Sequence, residues 1–460
     1  MNAPSMTVPA NGIPLPGDQT VARIGKFKFA IPDFSMWDWY TFLLSFTCCI
    51  TFKAGGTLFG SDIVLVLGLP VLLTTRFQAL FYKPVRRLIF LGGLWLVAQM
   101  VTDYVRKSAP ADYERGWLKI VFTVALFCVV WILVHNSQRR CVLYAVGLAL
   151  GTAVRSLSFK NDFVTNDPWK FGYAFPASIL VLLLVAFLMR KTYSVYYQIP
   201  VVVLALLNIA EGFRSQAFIL MLVVVVTHGY KSMRVRGKTL SKTKLAALAL
   251  LVLCVGIGID ELYSYAALHS WLGHGSYIKF EEQQSGAGGV LLGGRSELFA
   301  STAAIADSPW IGHGSWAKDP KYTWILIKRM REFGYYRARL DPETQEAAQN
   351  GNIPAHSHIL QAWVESGILG GLFWGYVLYL LVRFLVTLKG DEPLLPFAVF
   401  QVMLLLWDIF FSPYGAERRF SVTFFLAFLM AIMYHKERQA ARLIGRRTLQ
   451  FAGAALVETS

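Results

Sequence analysis

Long apolar runs alternate with short polar connections along nearly the whole chain. A helix needs about 20 predominantly apolar residues to cross roughly 30 Å of hydrocarbon. Runs of that order recur at 35–53, 58–75, 87–104, 115–135, 140–158, 172–189, 195–212, 214–230, 244–263, 359–386, 393–411 and 418–434. The pattern predicts an all-α polytopic membrane protein with about twelve transmembrane helices. Spans one to nine fall within 35–263 and spans ten to twelve within 359–434, between a polar N-terminal tail (1–34) and a basic C-terminal tail (435–460). The run 58–75 is interrupted by Asp62 and Pro70, and the short runs 195–212 and 214–230 meet at Arg214.

One connection differs from the others. Residues 264–358 are mostly polar, with Gly-rich turns, the tryptophans Trp310, Trp316 and Trp324 among others, and a basic run of Lys328, Arg329, Arg331, Arg337 and Arg339. A structureless loop of that length is rare, so one large helical loop over the membrane surface is expected. In 296–306, Leu298, Thr302 and Ile305 share a helical face, and Asp307-Ser308-Pro309 stops the helix. A second short helix is expected over 342–349.

Composition sharpens the class. The chain is 55% hydrophobic and only 16% charged, against about a quarter charged in soluble domains. The net charge of +16 does not point to nucleic acid, because the basic residues are spread over separate short connections. Arg76, Lys83, Arg86 and Arg87, then Arg139 and Arg140, then Arg190 and Lys191, then Arg383 and Lys389 fall on one side of the alternation. The positive-inside rule makes that side cytoplasmic and places both termini there, with 264–358 on the periplasmic side of a bacterial inner membrane. The N-terminal tail lacks the apolar core and small-residue cleavage site of a signal peptide. Cys48, Cys49, Cys128, Cys141 and Cys254 all fall in or beside apolar runs, as buried fillers rather than disulfide or metal ligands. The chain has no GxxxxGK[ST], HExxH, CxxC or DxD pattern, so no cofactor and no metal are expected.

Three residues at run boundaries carry candidate chemistry. His356 stands where the loop passes into an apolar run, and an imidazole near its ordinary pKa of about 6.5 suits a general base. Arg214 and Arg295 each present a planar fork matched to phosphate oxygens; Arg295 follows Gly293 and Gly294. Lys328, Arg329, Arg331, Arg337 and Arg339 would bind an anionic lipid headgroup, with Trp316, Trp324, Tyr335 and Tyr336 at headgroup level. Asp408, Glu417, Arg418 and Arg419 either pair with one another or line the same site.

The stretch from His356 resembles the O-antigen ligase and polymerase superfamily. That signature is a His followed by Asn, Ser or Gln, nine arbitrary residues, then Gly, two residues, and Gly, Thr or Tyr, here His356, Ser357, Gly367 and Gly370, with Leu360 and Glu365 also in place. The GGRSELFASTAAIADSPWIGHG stretch is similar to the family's Gly-Arg element followed by Pro309, Gly312 and Gly314, and FRSQ at Arg214 to its mid-chain boundary element. These likenesses cover the second half of the chain; the first seven spans match only as apolar helices.

The resemblance implies transfer of a glycan from undecaprenyl diphosphate at the periplasmic face, metal-free and with inversion. Arg214 and Arg295 would hold the diphosphate and His356 would deprotonate the acceptor hydroxyl. His358, Glu365 and His313 are candidates for supporting roles. The expected partners are the undecaprenyl diphosphate-linked glycan, lipid A–core and membrane lipids. A ligase fits the single dominant loop and its basic run best; a polymerase and a protein O-oligosaccharyltransferase are alternatives within the superfamily. The rival of another class is a secondary transporter with Arg214 as an anion site, although no repeated halves are visible.

Overall fold

The computed structural model describes residues 21–24, 27–30, 34–53, 56–159, 162–189, 194–235, 261–269, 295–335, 351–388 and 394–458, with a few isolated positions elsewhere. Its helices are α1 (Met36–Phe46), α2 (Gly60–Arg76), α3 (Lys83–Arg106), α4 (Pro110–Val134), α5 (Gln138–Ser158), α6 (Asp162–Asn166), α7 (Ala174–Leu188), α8 (Ile199–Ala210) and α9 (Arg214–Val235). After a gap follow α10 (Glu297–Asp307), α11 (Pro320–Glu332), α12 (His358–Ser366), α13 (Ile368–Thr387), α14 (Leu395–Phe411) and α15 (Arg418–Glu458).

This is an all-α membrane protein. Among the described residues six helical segments are long and apolar enough to cross a membrane: Gly60–Phe81, Lys83–Arg106, Pro110–Val134, Gln138–Ser158, Trp169–Leu188 and Ile368–Thr387. Val195–Ala210 and Leu395–Phe411 are apolar but shorter. The outward faces agree with lipid contact: Leu67, Phe90, Phe187 and Val386 are each well over half exposed on helices with few charges. Trp95, Trp131 and Trp374 are fully buried between helices.

Small residues set the closest helix approaches, as expected where lipid removes the hydrophobic drive between helices. On α5, Gly147 and Gly151 lie one turn apart against α1; a Cβ on them would stand 2.7 Å from the Phe42 carbonyl oxygen and 2.4 Å from that of Phe46. Ion pairs tie helix ends together. Arg140 meets Asp38 at 2.9 Å, and Arg383 meets Glu437 at 2.7 Å. At the opposite end, which carries the 295–366 segment, Arg155 meets Glu417 at 2.7 Å, Arg418 meets Asp408 at 3.3 Å, and Arg419 is buried against Asp62. The cluster expected either to pair internally or to line the site thus pairs once within itself and twice with other helices.

Several boundaries depart from the pattern. The run 35–53 yields an 11-residue helix closed by a capping box at Ser35 and Asp38. The chain then turns through a hairpin, β1 (Thr51–Lys53) against β2 (Thr57–Phe59); alternating Thr and aromatic residues favour extended backbone there. A second antiparallel pair joins Val21–Ile24 with Phe27–Ala30, within the polar N-terminal tail. The run 359–386 is two helices, α12 and α13, broken at Gly367 with φ 67°. At the other extreme, α15 continues without interruption from the last apolar run through the basic tail. Span 244–263 and the helix expected over 342–349 fall largely or wholly outside the described residues.

In α10 the packed face also differs from expectation. Glu297, Ala300, Ser301 and Ala304 are buried while Thr302 is exposed. The reason is close approach: α10 lies against both α11 and α12, with Ala300 and Ala304 at the centre of the seam and Phe299 and Ile305 half-buried at its edge. Among the described residues Cys48, Cys49, Cys128 and Cys141 are buried free thiols.

Candidate functional site

The site gathers around the end of α14 that carries Trp407 and Phe411. Three segments reach it from different directions. First, α8 ends at Ala210, Gly212 turns the chain with φ 70°, and Arg214 opens α9. The α9 helix packs on α14, bringing the Phe218 and Trp407 rings to 6.3 Å. The Arg214 guanidinium lies 4.2 Å from the Tyr263 ring centroid.

Second, Arg295 precedes α10. Its guanidinium stands 5.5 Å from the Trp407 ring and 5.4 Å from the Phe411 ring. Burial pushes its pKa down from the ordinary arginine value; the Glu297 carboxylate opposes that shift and the Arg214 charge adds to it. An arginine remains protonated regardless, so the consequence is electrostatic. Arg295 thus feels one cation, Arg214, and one buried carboxylate, Glu297, and an anion reaching both guanidinium groups would relieve their repulsion.

Third, residues 354–358 run across α10 and α14. Ser301 Oγ donates to the Pro354 carbonyl at 2.8 Å. Ser357 Oγ donates to the Ile409 carbonyl at 2.7 Å, while accepting from Leu360 N at 3.2 Å as the N-cap of α12. Between these two anchors His356 places Nδ1 3.7 Å from Glu297 Oε1, its side chain 25% exposed and that of Glu297 8%. Arg295 thus stands against the aromatic end of α14 and His356 against Glu297, while Arg214, at the start of α9, adds its charge to the surroundings of Arg295. Sequence reasoning did not single out Glu297. Its signal was an acidic residue in the first turn of a helix, two positions after an arginine, which reads equally well as ordinary helix-dipole compensation.

His358 is elsewhere. It is fully buried, its Nδ1 donates to the Ser412 carbonyl at 2.6 Å, and its ring packs edge-on against Trp374 and Tyr414. Burial lowers its pKa from the ordinary 6.5 to about 4, so it stays neutral and pins α12 to the chain after α14. Glu365 closes the other end of α12. It pairs with Lys119 of α4 at 2.7 Å, both side chains 7% exposed, and accepts from Gln361 Nε2 at 3.1 Å. His313 Nε2 donates to the Ala304 carbonyl at 2.8 Å, and its backbone N donates to the Val364 carbonyl at 2.7 Å.

The turn 309–315 is bolted to the end of α3. Asp103 accepts from Ser315 N at 2.6 Å, Ser315 Oγ at 2.7 Å, Ser108 Oγ at 2.7 Å and Trp117 Nε1 at 2.8 Å. Thr102 Oγ1 donates to the Ile311 carbonyl at 2.5 Å and Arg106 Nε to that of Gly312 at 2.9 Å. Two glycines make the joint with α12 fit. A Cβ on Gly367 would lie 2.0 Å from the Trp310 oxygen, and one on Gly312 (φ 85°) 2.6 Å from Gly367 N.

Of the basic run, Lys328, Arg329 and Arg331 are exposed on α11. Lys328 and Arg329 both approach Glu332, at 4.0 and 2.8 Å. Arg337, Arg339 and Tyr336 lie outside the described residues. Trp316 and Trp324 are exposed, 43% and 66%, but Tyr335, expected at headgroup level, is buried. Its ring covers Gly286 in the loop's own small core.

Comparisons with protein-family models, with characterised proteins and with solved structures gave no match. The functional reading therefore rests on the geometry just described and on the sequence resemblance.

Proposed function

We propose that this chain is an O-antigen ligase: a glycosyltransferase of a bacterial inner membrane, with about twelve spans, both termini cytoplasmic and its site facing the periplasm. It would move a glycan from undecaprenyl diphosphate to lipid A–core during lipopolysaccharide assembly. The observation that carries the reading is that Arg295 feels both the charge of Arg214 and the buried Glu297 that faces His356. A lipid diphosphate needs charge stabilisation as it leaves, and a sugar hydroxyl needs a base as it attacks; these residue types supply both.

In the reaction the acceptor hydroxyl oxygen bonds to the anomeric carbon and the bond from that carbon to the diphosphate oxygen breaks. Its electron pair leaves on the diphosphate, held by Arg214 and Arg295. The hydroxyl proton passes to His356. A single displacement inverts the anomeric centre, and the diphosphate is already a good leaving group, so the second carboxylic acid of glycoside hydrolysis is not required. The exposed basic face of α11, with Lys328, Arg329 and Arg331, suits phosphates on the acceptor core.

The test is transfer in proteoliposomes from an undecaprenyl diphosphate-linked glycan to purified lipid A–core, read by gel and mass. Glycan on the core, lost in His356→Ala and severely reduced in Arg214→Lys, supports the ligase. Longer lipid-linked chains with an unmodified core would make the protein a polymerase. Full activity of His356→Ala would remove it as the base.

A further inference from the structure

We infer that Glu297 is the positioning carboxylate of His356, forming with it a carboxylate–imidazole dyad; this rests on the glycan-transfer reading above. Three observations converge on it. Nδ1, not Nε2, is the ring nitrogen that faces Glu297 Oε1, at 3.7 Å. Glu297 is buried in the first turn of α10, whose Ser301 is fixed to Pro354 two residues before His356. The carboxylate and imidazole are therefore carried by segments that cannot drift apart independently. Glu297 also acts electrostatically on Arg295, two residues before it.

The chemistry follows from the ring's orientation. A carboxylate at Nδ1 holds the neutral tautomer with its proton on Nδ1, which assigns proton uptake to Nε2. When Nε2 takes the acceptor hydroxyl's proton, the resulting imidazolium is stabilised by the carboxylate beside it. The separation is longer than a hydrogen bond, as is common before substrate closes a site. Arg295 is the charged group shown to act with Glu297, and Arg214 acts on Arg295 in turn; Asp408 and Arg418 act on the neighbouring His358.

Glu297→Gln keeps the shape and removes the charge. Transfer by Glu297→Gln should fall by between tenfold and about 10⁴-fold in kcat, the upper figure being the loss on converting a triad aspartate to asparagine. The donor KM will respond as well, because the same charge acts on Arg295, so the pairing with His356 is read from the pH dependence. The acid limb of the pH–rate profile should move to lower pH by about one unit, since a nearby carboxylate raises an imidazole's pKa. Glu297→Asp retains the charge and should return the acid limb towards its original position even where kcat stays low.

A second readout needs no activity. Site-resolved hydrogen–deuterium exchange at the histidine C2 carbon gives the titration of His356 in the intact protein, and Glu297→Gln should lower its midpoint by the same amount. If the native protein transfers no glycan yet this midpoint still moves, the glycan-transfer reading fails and the pairing stands. If kcat falls with neither the midpoint nor the acid limb shifted, Glu297 is merely structural and the dyad is overturned. Unchanged kcat in Glu297→Gln overturns it equally.

Discussion

Gly367→Ala isolates the joint on which the site hangs. Gly367 has φ 67° and ψ −162°, a region essentially reserved for glycine, where another residue costs about 1–3 kcal/mol. The added Cβ would stand 2.0 Å from the Trp310 carbonyl oxygen and 2.8 Å from the Ile311 carbonyl carbon. Both belong to backbone, so no side chain can swing aside. The turn would have to retreat by about 1.5 Å to restore ordinary contact. It is held by the Thr102 and Arg106 hydrogen bonds to the Ile311 and Gly312 carbonyls, and losing one or two of these costs about 1 kcal/mol each. The combined loss is about 2–5 kcal/mol. Gly375 in the same α13 is the control, because a Cβ there meets nothing within 4 Å; alanine should stabilise by about 0.5–1 kcal/mol. Equilibrium titration of the detergent-purified protein with dodecyl sulfate gives both values. Amide exchange over 309–315 shows where the damage falls. If Gly367→Ala lies within 1 kcal/mol of the native protein by the assay's own precision and 309–315 stays protected, the steric reasoning is wrong.

Three further outcomes are expected. Lys119→Met leaves Glu365 charged and buried, at a cost of about 3–5 kcal/mol, while Lys119→Met with Glu365→Gln should recover most of it; equal losses in the two titrations would show that the pair is not coupled. Asp103→Asn replaces an acceptor with a partial donor facing Ser315, Ser108 and Trp117, and should destabilise by about 3 kcal/mol, with faster amide exchange over 312–316; native protection there would refute the anchor. Burial lowers the His358 pKa from 6.5 to about 4, so between those values the unfolded chain takes up a proton that the folded chain does not. Stability should hold above pH 6.5 and fall by about 3 kcal/mol as pH drops towards 4; this slope should be smaller in His358→Asn, which keeps a donor for the Ser412 carbonyl.

The apolar period disclosed most of the long helices because length and composition alone decide whether a segment can cross lipid. It misplaced breaks that depend on a single residue. Nothing in the periodicity of 359–386 distinguishes a kinked span from two helices; the break comes from Gly367 meeting the Trp310 carbonyl, a contact between residues far apart in the chain. The same limit hid the packed face of α10. Counting apolar residues favoured Leu298 and Ile305, but the centre of the seam with α11 and α12 is taken by the small residues Ala300, Ser301 and Ala304, and Ile305 packs only at its edge.

The candidate site was legible in its charged residues and not in their connections. Arg214, Arg295 and His356 stood out because polar groups at the edge of apolar runs are costly without a purpose. Glu297 did not, because an acidic first-turn residue is what any helix accepts. The glycines and the serine of the same stretch have a different task. Gly312, Gly367 and Ser357 make contacts with backbone and fix the angle at which α12 leaves the loop. His358 and Glu365 likewise bind α12 to α4 and to the chain after α14. Most of this motif therefore serves to hold one partly exposed imidazole still. In a loop segment with no helix of its own, His356 can keep a fixed distance from Glu297 only because Pro354 and Ser357, on either side of it, are each tied to a different helix.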